Sequence, residues 1–200
     1  MALARKDGRS YHASMASGIG AWKKGRLVDR FDAGIFDVKR IECSSDSGKV
    51  SVFTSIASRD WAIVVPIVEI AGELSCVMVR QYRHGADACY LEFPGGIVER
   101  GEDPAEGVAR ELEEETGWCA GRILHAGSIS PNPAFLENSY HVFVATGLVF
   151  HGRTDFDENE EIETVLLPLS ELRQRMGKGE LANAMMVSGL FLAERVLAGI

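Results

Sequence analysis

The chain has 200 residues, of which 46% are apolar, 25% are charged and 8% are aromatic, a composition that excludes collagen, low-complexity disorder and a disulfide scaffold. Its 21 Lys and Arg residues and 29 Asp and Glu residues give a formal net charge of -8. This charge argues against binding to nucleic acid or to a membrane, because both binding modes need a basic surface. An acidic protein that handles phosphates is expected to need metal ions.

Residues 1–24 carry basic side chains without an apolar run behind them, so they do not resemble a secretory signal. We expect a loose arm there, or one that drapes over a partner. Residues 181–200 form the most apolar tract, but Glu194 and Arg195 interrupt it, which favours a buried helix over a membrane span. The four cysteines are too few and too far apart for a disulfide framework or a close-spaced zinc motif. They indicate buried thiols in a reducing cytoplasm.

Residues 25–58 contain short β-branched and aromatic stretches separated by turn formers, and they predict a small antiparallel sheet with a hairpin turn at 44–49. Residues 59–200 are expected to form the main domain. The near-continuous apolar run at 61–70 is typical of a strand buried on both faces. The alternating stretch at 74–82 predicts its hairpin partner.

Next along the chain, a short strand leads into a turn at Pro94, Gly95 and Gly96, and a helix then begins. Asp103 is the predicted N-cap, with Pro104 at the first helical position and Glu106 completing a variant of the capping box. The helix is expected to run to Thr116 and to end at Gly117.

The remaining elements are predicted strands at 121–129, 140–150 and 164–167, an acidic loop at 155–161 and two further helices. Ser170 is the predicted cap of the first of these helices, and the C-terminal helix is expected to follow Gly179. Strands therefore dominate. The predicted class is α+β, with a mixed sheet sandwiched between helices in an α/β/α arrangement.

The predicted helix at 103–116 has two distinct faces. Val108 and Leu112 fall on an apolar arc, while Glu111, Glu114 and Glu115 fall on another arc without a lysine among them. Like charges at this spacing cost a few tenths of a kcal/mol per pair, so a positive group must offset them. Hard divalent cations are natural candidates, and a solvated acidic face is the alternative.

The spacing around this helix is more specific than its charge. Gly96, five residues, Glu102, seven residues and then the sequence Arg-Glu-Leu-Glu-Glu-Glu-Thr-Gly-Trp at 110–118 resemble the box of the Nudix hydrolase superfamily. Trp118 departs mildly from the aliphatic residue that is more usual there. The resemblance implies the Nudix fold and the hydrolysis of a nucleoside diphosphate linked to another moiety.

The resemblance also implies a metal site. It assigns metal ligation to Glu111 and Glu115, with Glu114 as a helper and the carbonyl of Gly95 as a further ligand. Glu115 thereby counts as catalytic too. The expected metal is Mg²⁺, with Mn²⁺ as a substitute.

Two of the box residues have an expected structural role. Glu102 and Arg110 are expected to form a partly buried ion pair that ties the loop to the helix.

Two stretches outside the box are similar to the ADP-ribose pyrophosphatase and nucleoside diphosphate sugar hydrolase branch. In the first, at 79–96, Arg80 and Arg83 are expected to bind phosphate, with Glu92 also near the substrate; exposed strand-end charges are the alternative. In the second, Pro133 stands fifteen residues after the box, a spacing that resembles the proline of ADP-ribose pyrophosphatases. The alternative interpretation of this stretch is a rigid loop without a role in binding.

The acidic loop resembles the loop that supplies the catalytic carboxylate in bacterial members of this branch. Glu158 is therefore the favoured general base and Glu160 the second choice, and closure of the loop would exclude water. Glu137 is a further candidate for the base and for substrate contact. A solvated acidic turn is the alternative.

A nucleobase would also need a stacking surface, which Trp61, Phe31 or Phe36 could supply. For each of them alone, packing in a core is the favoured alternative. Members of the branch pair as dimers through their N-terminal segments, which implies a homodimer in which residues 26–58 cross to the partner.

The sequence thus predicts a cytoplasmic, metal-dependent hydrolase of ADP-ribose or a related nucleotide sugar. Its expected partner is a small nucleotide substrate rather than nucleic acid or a membrane. The alternatives are a Nudix hydrolase of another dinucleotide or of a nucleoside triphosphate, and a non-catalytic nucleotide-binding regulator on the same fold.

Overall fold

The computed structural model describes residues 20–152, 154–156 and 161–199. The described strands are β1 (Trp22–Asp32), β2 (Phe36–Ser45), β3 (Val50–Ser58), β4 (Trp61–Ile70), β5 (Glu73–Arg83), β6 (Ala88–Glu92), β7 (Gly95–Ile97), β8 (Trp118–Cys119), β9 (Arg122–Ile129), β10 (Tyr140–Thr146), β11 (Val149–Phe150) and β12 (Ile162–Pro168). The described helices are α1 (Pro104–Thr116), α2 (Leu169–Arg175), a one-turn 3-10 helix (Gly179–Leu181) and α3 (Ala184–Leu197).

The first three strands form an antiparallel sheet in the order β1-β2-β3. Its hairpin turn falls at 46–49, between β2 and β3, as the turn-forming residues predict. The first strand begins at Trp22, within the segment expected to be an arm, and residues 1–19 lie outside the described residues. Several large apolar side chains of this sheet remain exposed, with Phe31 and Ile35 each at 68%.

The main sheet has the order β12-β5-β4-β10-β9, with β6 on β5 and β7 on β4. It is mixed, because β10 runs parallel to β4 while the other pairs are antiparallel. Alternate residues of the central strand β4 feed two cores. Ile63 and Val65 pack with residues of α2 and α3, and Ala62 and Val64 pack with residues of α1. The predicted α/β/α arrangement and the doubly buried strand are confirmed.

Several local predictions are wrong. Gly95 and Gly96, expected within a turn, begin β7 and pair with β4. Cys43 and Cys76 are buried as expected, but Cys89 is exposed and Cys119 is half-buried. The single strand expected at 140–150 is interrupted at Gly147, which adopts a positive φ of 66°, so β10 ends and β11 pairs instead with β8. Ser170 does not cap α2, because Pro168 occupies the N-cap and Ser170 lies inside the first turn. The C-terminal helix α3 does follow Gly179, and the side chain of Asn183 caps it by accepting from the N–H of Met185.

Within the described part of the chain, every helix is too short or too polar to cross a membrane.

Candidate active site

The helix α1 begins and ends where local sequence dictates. A carboxylate oxygen of Asp103 accepts a 2.8 Å hydrogen bond from the N–H of Ala105, and Pro104 occupies the first position. At the other end Gly117 adopts the left-handed conformation (φ 71°) and its N–H donates to the carbonyl of Glu113 at 2.8 Å. The predicted bounds and both caps are confirmed.

The buried face of α1 carries one carboxylate. Val108 and Leu112 are fully buried against the sheet, as expected, and Glu115 is only 4% exposed. A buried carboxylate needs hydrogen-bond donors. One is the N–H of Gly95, which lies 2.9 Å from Oε2 of Glu115.

The chain bends at Pro94, and Gly95 and Gly96 then begin β7 and pair with Ile63 and Ala62 of β4. We call the segment 94–96 the glycine turn, and its two glycines have no room for a side chain. Gly95 has a φ of 148°, and a Cβ there would overlap the carbonyl oxygen of Ala62 in β4. A Cβ on Gly96 would lie 2.8 Å from Oε1 of Glu111. The carboxylates of Glu111 and Glu115 therefore both converge on this one turn, which lies directly against the helix.

Arg110 supplies positive charge to the acidic face. Its guanidinium lies 3.2 Å from Glu102, 3.0 Å from Glu111 and 2.9 Å from Glu114. The predicted pair between Glu102 and Arg110 is present, and Arg110 is also a positive group that offsets part of the repulsion on this face. These contacts raise the pKa of Arg110.

Glu102 also braces the loop before the helix. Its Oε2 accepts a 2.7 Å hydrogen bond from the N–H of Glu99. Burial of Glu102 opposes its ionisation, but this hydrogen bond and the contact with Arg110 outweigh it, so the pKa of Glu102 is lowered. Glu102 is thus an ionised link between the loop and the helix.

The donor chemistry of this site fits a hard divalent cation. Glu111, Glu114 and Glu115 offer carboxylate oxygens, the ligand type that Mg²⁺ and Mn²⁺ prefer, and the glycine turn brings backbone against two of them. Arg110 donates hydrogen bonds to Glu111 and Glu114, and the N–H of Gly95 donates one to Glu115. Over 20–152, 154–156 and 161–199 no three His, Cys, Asp or Glu side chains already form a metal-binding group.

A cavity of about 680 Å³ adjoins the outer face of α1. The segment after β11 forms its opposite wall, because the N–H of His151 donates to Gly117 and the N–H of Asp155 donates to Glu114, each at 2.9 Å. The cavity is lined by Arg110, Glu113, Glu114, Gly152, Thr154 and Asp155. The acidic loop therefore begins beside the carboxylates of α1, while Glu158 and Glu160 themselves lie outside the described residues.

The two arginines expected to bind phosphate are both ion-paired. Arg80 lies 2.5 Å from Glu163 and 3.1 Å from Glu180. Arg83 lies 2.5 Å from Glu92, whose side chain is 1% exposed. A phosphate at either guanidinium would share it with, or displace, a carboxylate.

Glu92 links three elements. Besides Arg83 on β5, it accepts a 2.7 Å hydrogen bond from the side-chain amide of Asn183, the cap of α3. The sequence offered no signal for this amide contact, because 91 residues separate the partners.

Glu137 lies against the N-terminal sheet. Its carboxylate lies 2.8 Å from Lys24, 3.4 Å from Lys39 and 2.7 Å from the hydroxyl of Ser55. The hydrogen bonds from Lys24 and Ser55 lower the pKa of Glu137 to about 2. A carboxylate this acidic is a poor proton acceptor, which weighs against Glu137 as the general base.

The other predicted substrate contacts are spread over the molecule. Trp61 begins β4 and is half-buried against the α3 side of the core, Pro133 is exposed in the loop before β10, and Phe36 is half-buried on β2. The structure does not bring these residues together with α1. The contacts of Arg110 with Glu111 and Glu114 were not predicted from the sequence. The spacing of four between Arg110 and Glu114 could have indicated the second of them.

Four similarities to known proteins bear on this site. The NUDIX domain model matches residues 58–186. The ADP-ribose pyrophosphatase of Bacillus subtilis is 29% identical over 77% of this chain and 82% of its own length. The methanol dehydrogenase activator of Bacillus methanolicus is 36% identical over 55% of this chain and 60% of its own length. A crystal structure of an ADP compounds hydrolase superposes with a TM-score of 0.76 at 25% identity, covering 88% of this chain and 96% of that one.

Proposed function

Because this chain belongs to the Nudix family, and is thus a Nudix hydrolase, we propose that it is a metal-dependent pyrophosphohydrolase of ADP-ribose or a related nucleoside diphosphate sugar. The products are a nucleoside monophosphate and a sugar phosphate. One observation carries the proposal: the carboxylates of Glu111 and Glu115 both lie against the Gly95–Gly96 segment.

In this proposal Glu111, Glu115 and Glu114 hold the metal together with the carbonyl of Gly95. A divalent ion, Mg²⁺ or Mn²⁺, supplies neutralisation of the diphosphate oxygens when bound. Arg110 keeps the loop and α1 in register through Glu102. It thereby fixes the spacing between the glycine turn and the helix on which the ligands depend.

The acidic loop completes the site in this proposal. Glu158 positions a water and accepts its proton, and Glu160 is the second choice for that role. Support comes from Asp155, whose N–H already anchors the start of the loop to the carbonyl of Glu114.

The substrate assignment draws support from relatives named for hydrolysis of ADP-ribose and of ADP compounds. In it, Arg80 and Arg83 bind the diphosphate, aided by Glu92, while Pro133 and Glu137 belong to a loop that borders the sugar. Trp61 would stack on the base. A regulatory role is the second candidate, because one relative is named as an activator of methanol dehydrogenase.

We also place the protein in the cytoplasm as a homodimer formed through the N-terminal sheet. Support for the dimer comes from exposed apolar side chains on β1–β3, among them Leu27, Phe31 and Val50. A patch of this kind is typical of a surface that a partner covers.

Initial rates with Mg²⁺ on ADP-ribose, GDP-mannose, UDP-glucose, NADH and dGTP test the substrate assignment. We expect ADP-ribose or a nucleotide sugar to rank first. A faster rate on NADH or dGTP would instead favour a Nudix hydrolase of another dinucleotide or of a nucleoside triphosphate. If none of the five compounds is hydrolysed, the non-catalytic regulatory role is favoured.

A further inference from the structure

A hydrogen-bonded chain of four side chains lies on strands β9 and β10 and at the residue before β4. Nε2 of His125 is 2.9 Å from Oγ of Ser128, and the same Oγ is 2.7 Å from Nδ1 of His141. Nε2 of His141 is 3.3 Å from Oδ2 of Asp60. None of the four residues belongs to α1 or to the glycine turn, so the proposed hydrolase does not use them.

A bulge in β9 creates this arrangement. Ser128 stands opposite His141 and His125 stands opposite Phe143, with a register shift between Val142 and Phe143. In a regular strand, residues three apart point to opposite faces. Because the bulge inserts an extra residue, His125 and Ser128 share the face on which His141 lies.

The positions of the protons in this series of hydrogen bonds follow from its last member, Asp60. The carboxylate of Asp60 only accepts, so Nε2 of His141 carries the proton and its Nδ1 presents a lone pair to the hydroxyl of Ser128. Ser128 then donates to His141 and accepts from Nε2 of His125. Each hydrogen bond has one donor and one acceptor, so the hydroxyl proton already points at a base.

Asp60 is held independently of this chain. Its Oδ1 accepts a 2.7 Å hydrogen bond from the N–H of Ser139, and its backbone carbonyl accepts from the N–H of Val98 at 2.9 Å. These two contacts orient the carboxylate without the help of His141. The side chain of His141 is 13% exposed. Ser128 is half-buried, and the neighbouring His125 is exposed.

We propose that Ser128, activated by His141 and oriented through Asp60, is a second nucleophilic centre that hydrolyses small activated esters. A serine, a histidine base and a carboxylate that orients the base are the groups that acyl transfer needs. Aryl esters are the substrate class, because a phenolate leaves readily and so needs little help from further donors.

The reaction balances with water as the co-reactant. Oγ of Ser128 forms a bond to the acyl carbon while its proton moves to Nδ1 of His141. The bond from the acyl carbon to the phenolate oxygen breaks, and the phenolate takes that proton. Water then attacks the acyl carbon of the acyl-serine ester while His141 accepts a proton from the water. The bond from the acyl carbon to Oγ of Ser128 breaks, His141 returns the proton to Oγ, and the carboxylic acid and free Ser128 are released. Asp60 orients His141 throughout and is a positioning residue.

Hydrolysis of p-nitrophenyl acetate, together with labelling by a fluorophosphonate and peptide mass spectrometry, tests this centre. We expect the label on Ser128 and an esterase rate at least about tenfold lower in Ser128→Ala and in His141→Gln. Asp60→Asn is expected to lower kcat at least about tenfold with KM within twofold.

Two matched controls separate this activity from the proposed function. Ser130→Ala, two residues farther along, is expected to keep the wild-type esterase rate, as is Glu115→Gln, which removes a carboxylate of the other site. An unmodified Ser128, or an esterase rate that Ser128→Ala leaves unchanged while circular dichroism shows it folded, overturns the inference. Neither outcome bears on nucleotide hydrolysis.

Discussion

The carboxylate of Glu115 accepts a 2.9 Å hydrogen bond from the N–H of Gly95, twenty residues earlier in the chain. This contact joins the C-terminal half of α1 to the glycine turn and orients a carboxylate that is 4% exposed. A single residue thus sets both the position of the turn and the charge beside it.

Replacing Glu115 by Gln separates those two roles, because the amide oxygen still accepts from Gly95 while the charge is lost. We expect turnover of ADP-ribose to fall at least about 100-fold, on the scale of losing a major electrostatic stabiliser. Glu113→Gln on the exposed side of α1 is the matched control and should retain activity. A wild-type rate in Glu115→Gln would contradict the metal assignment.

The ion pair between Arg110 and Glu102 should stabilise the fold more than a surface pair does. A double-mutant cycle with Arg110→Gln and Glu102→Gln, measured by urea unfolding, is expected to give a coupling free energy of about 1–3 kcal/mol. The control cycle uses Arg173 and Glu194, a more exposed pair at 2.8 Å, for which we expect below about 1 kcal/mol. Equal couplings would mean that the first pair is no more than a surface contact.

Glu158→Gln should lower kcat for ADP-ribose more than it raises KM, because a general base acts in the chemical step. Glu160→Gln is the comparison, with a smaller expected fall. Steady-state kinetics at saturating Mg²⁺ measure both. If Glu160→Gln shows the larger loss in kcat, the base is Glu160, and if neither variant loses kcat, the base lies outside this loop.

The low pKa of Glu137 makes stability depend on pH. Its folded value of about 2 lies below the ordinary value of 4.5, so its contribution is complete above pH 4.5 and is lost as the pH falls towards 2. Because the carboxylate is partly solvated, we expect a loss on the order of 1 kcal/mol. Urea unfolding between pH 5 and pH 2 should show a shallower decline for Glu137→Gln, and parallel curves would contradict this coupling.

The exposed apolar side chains of β1–β3 predict that charge on this sheet disrupts the dimer. Phe31 is 68% exposed, so Phe31→Glu should cost the monomer little and shift sedimentation from dimer towards monomer. Phe191→Glu on α3, at 62% exposure, is the control and should leave the mass unchanged. If the wild-type protein sediments as a monomer, the proposed homodimer is wrong.

The helix α1 could be predicted residue by residue, because its caps depend on residues that are neighbours in the sequence. Asp103, Pro104 and Gly117 act within one turn of the helix, and the structure places each as expected. The family resemblance rested on equally local spacing, and the match of the NUDIX domain model over 58–186 confirms it. The break at Gly147 was missed because an apolar run hides a change of sheet partner.

The contacts between side chains that are far apart in the sequence could not be predicted in this way. The sequence alone determined the class of the fold and the bounds of α1, since propensity, capping and periodicity act over a few residues. Only the tertiary structure decided that Glu137 faces Lys24 rather than α1, or that Glu92 meets Asn183. Those pairs depend on how strands and helices pack, and that packing brings together residues separated by 113 and 91 positions, for which no local pattern exists.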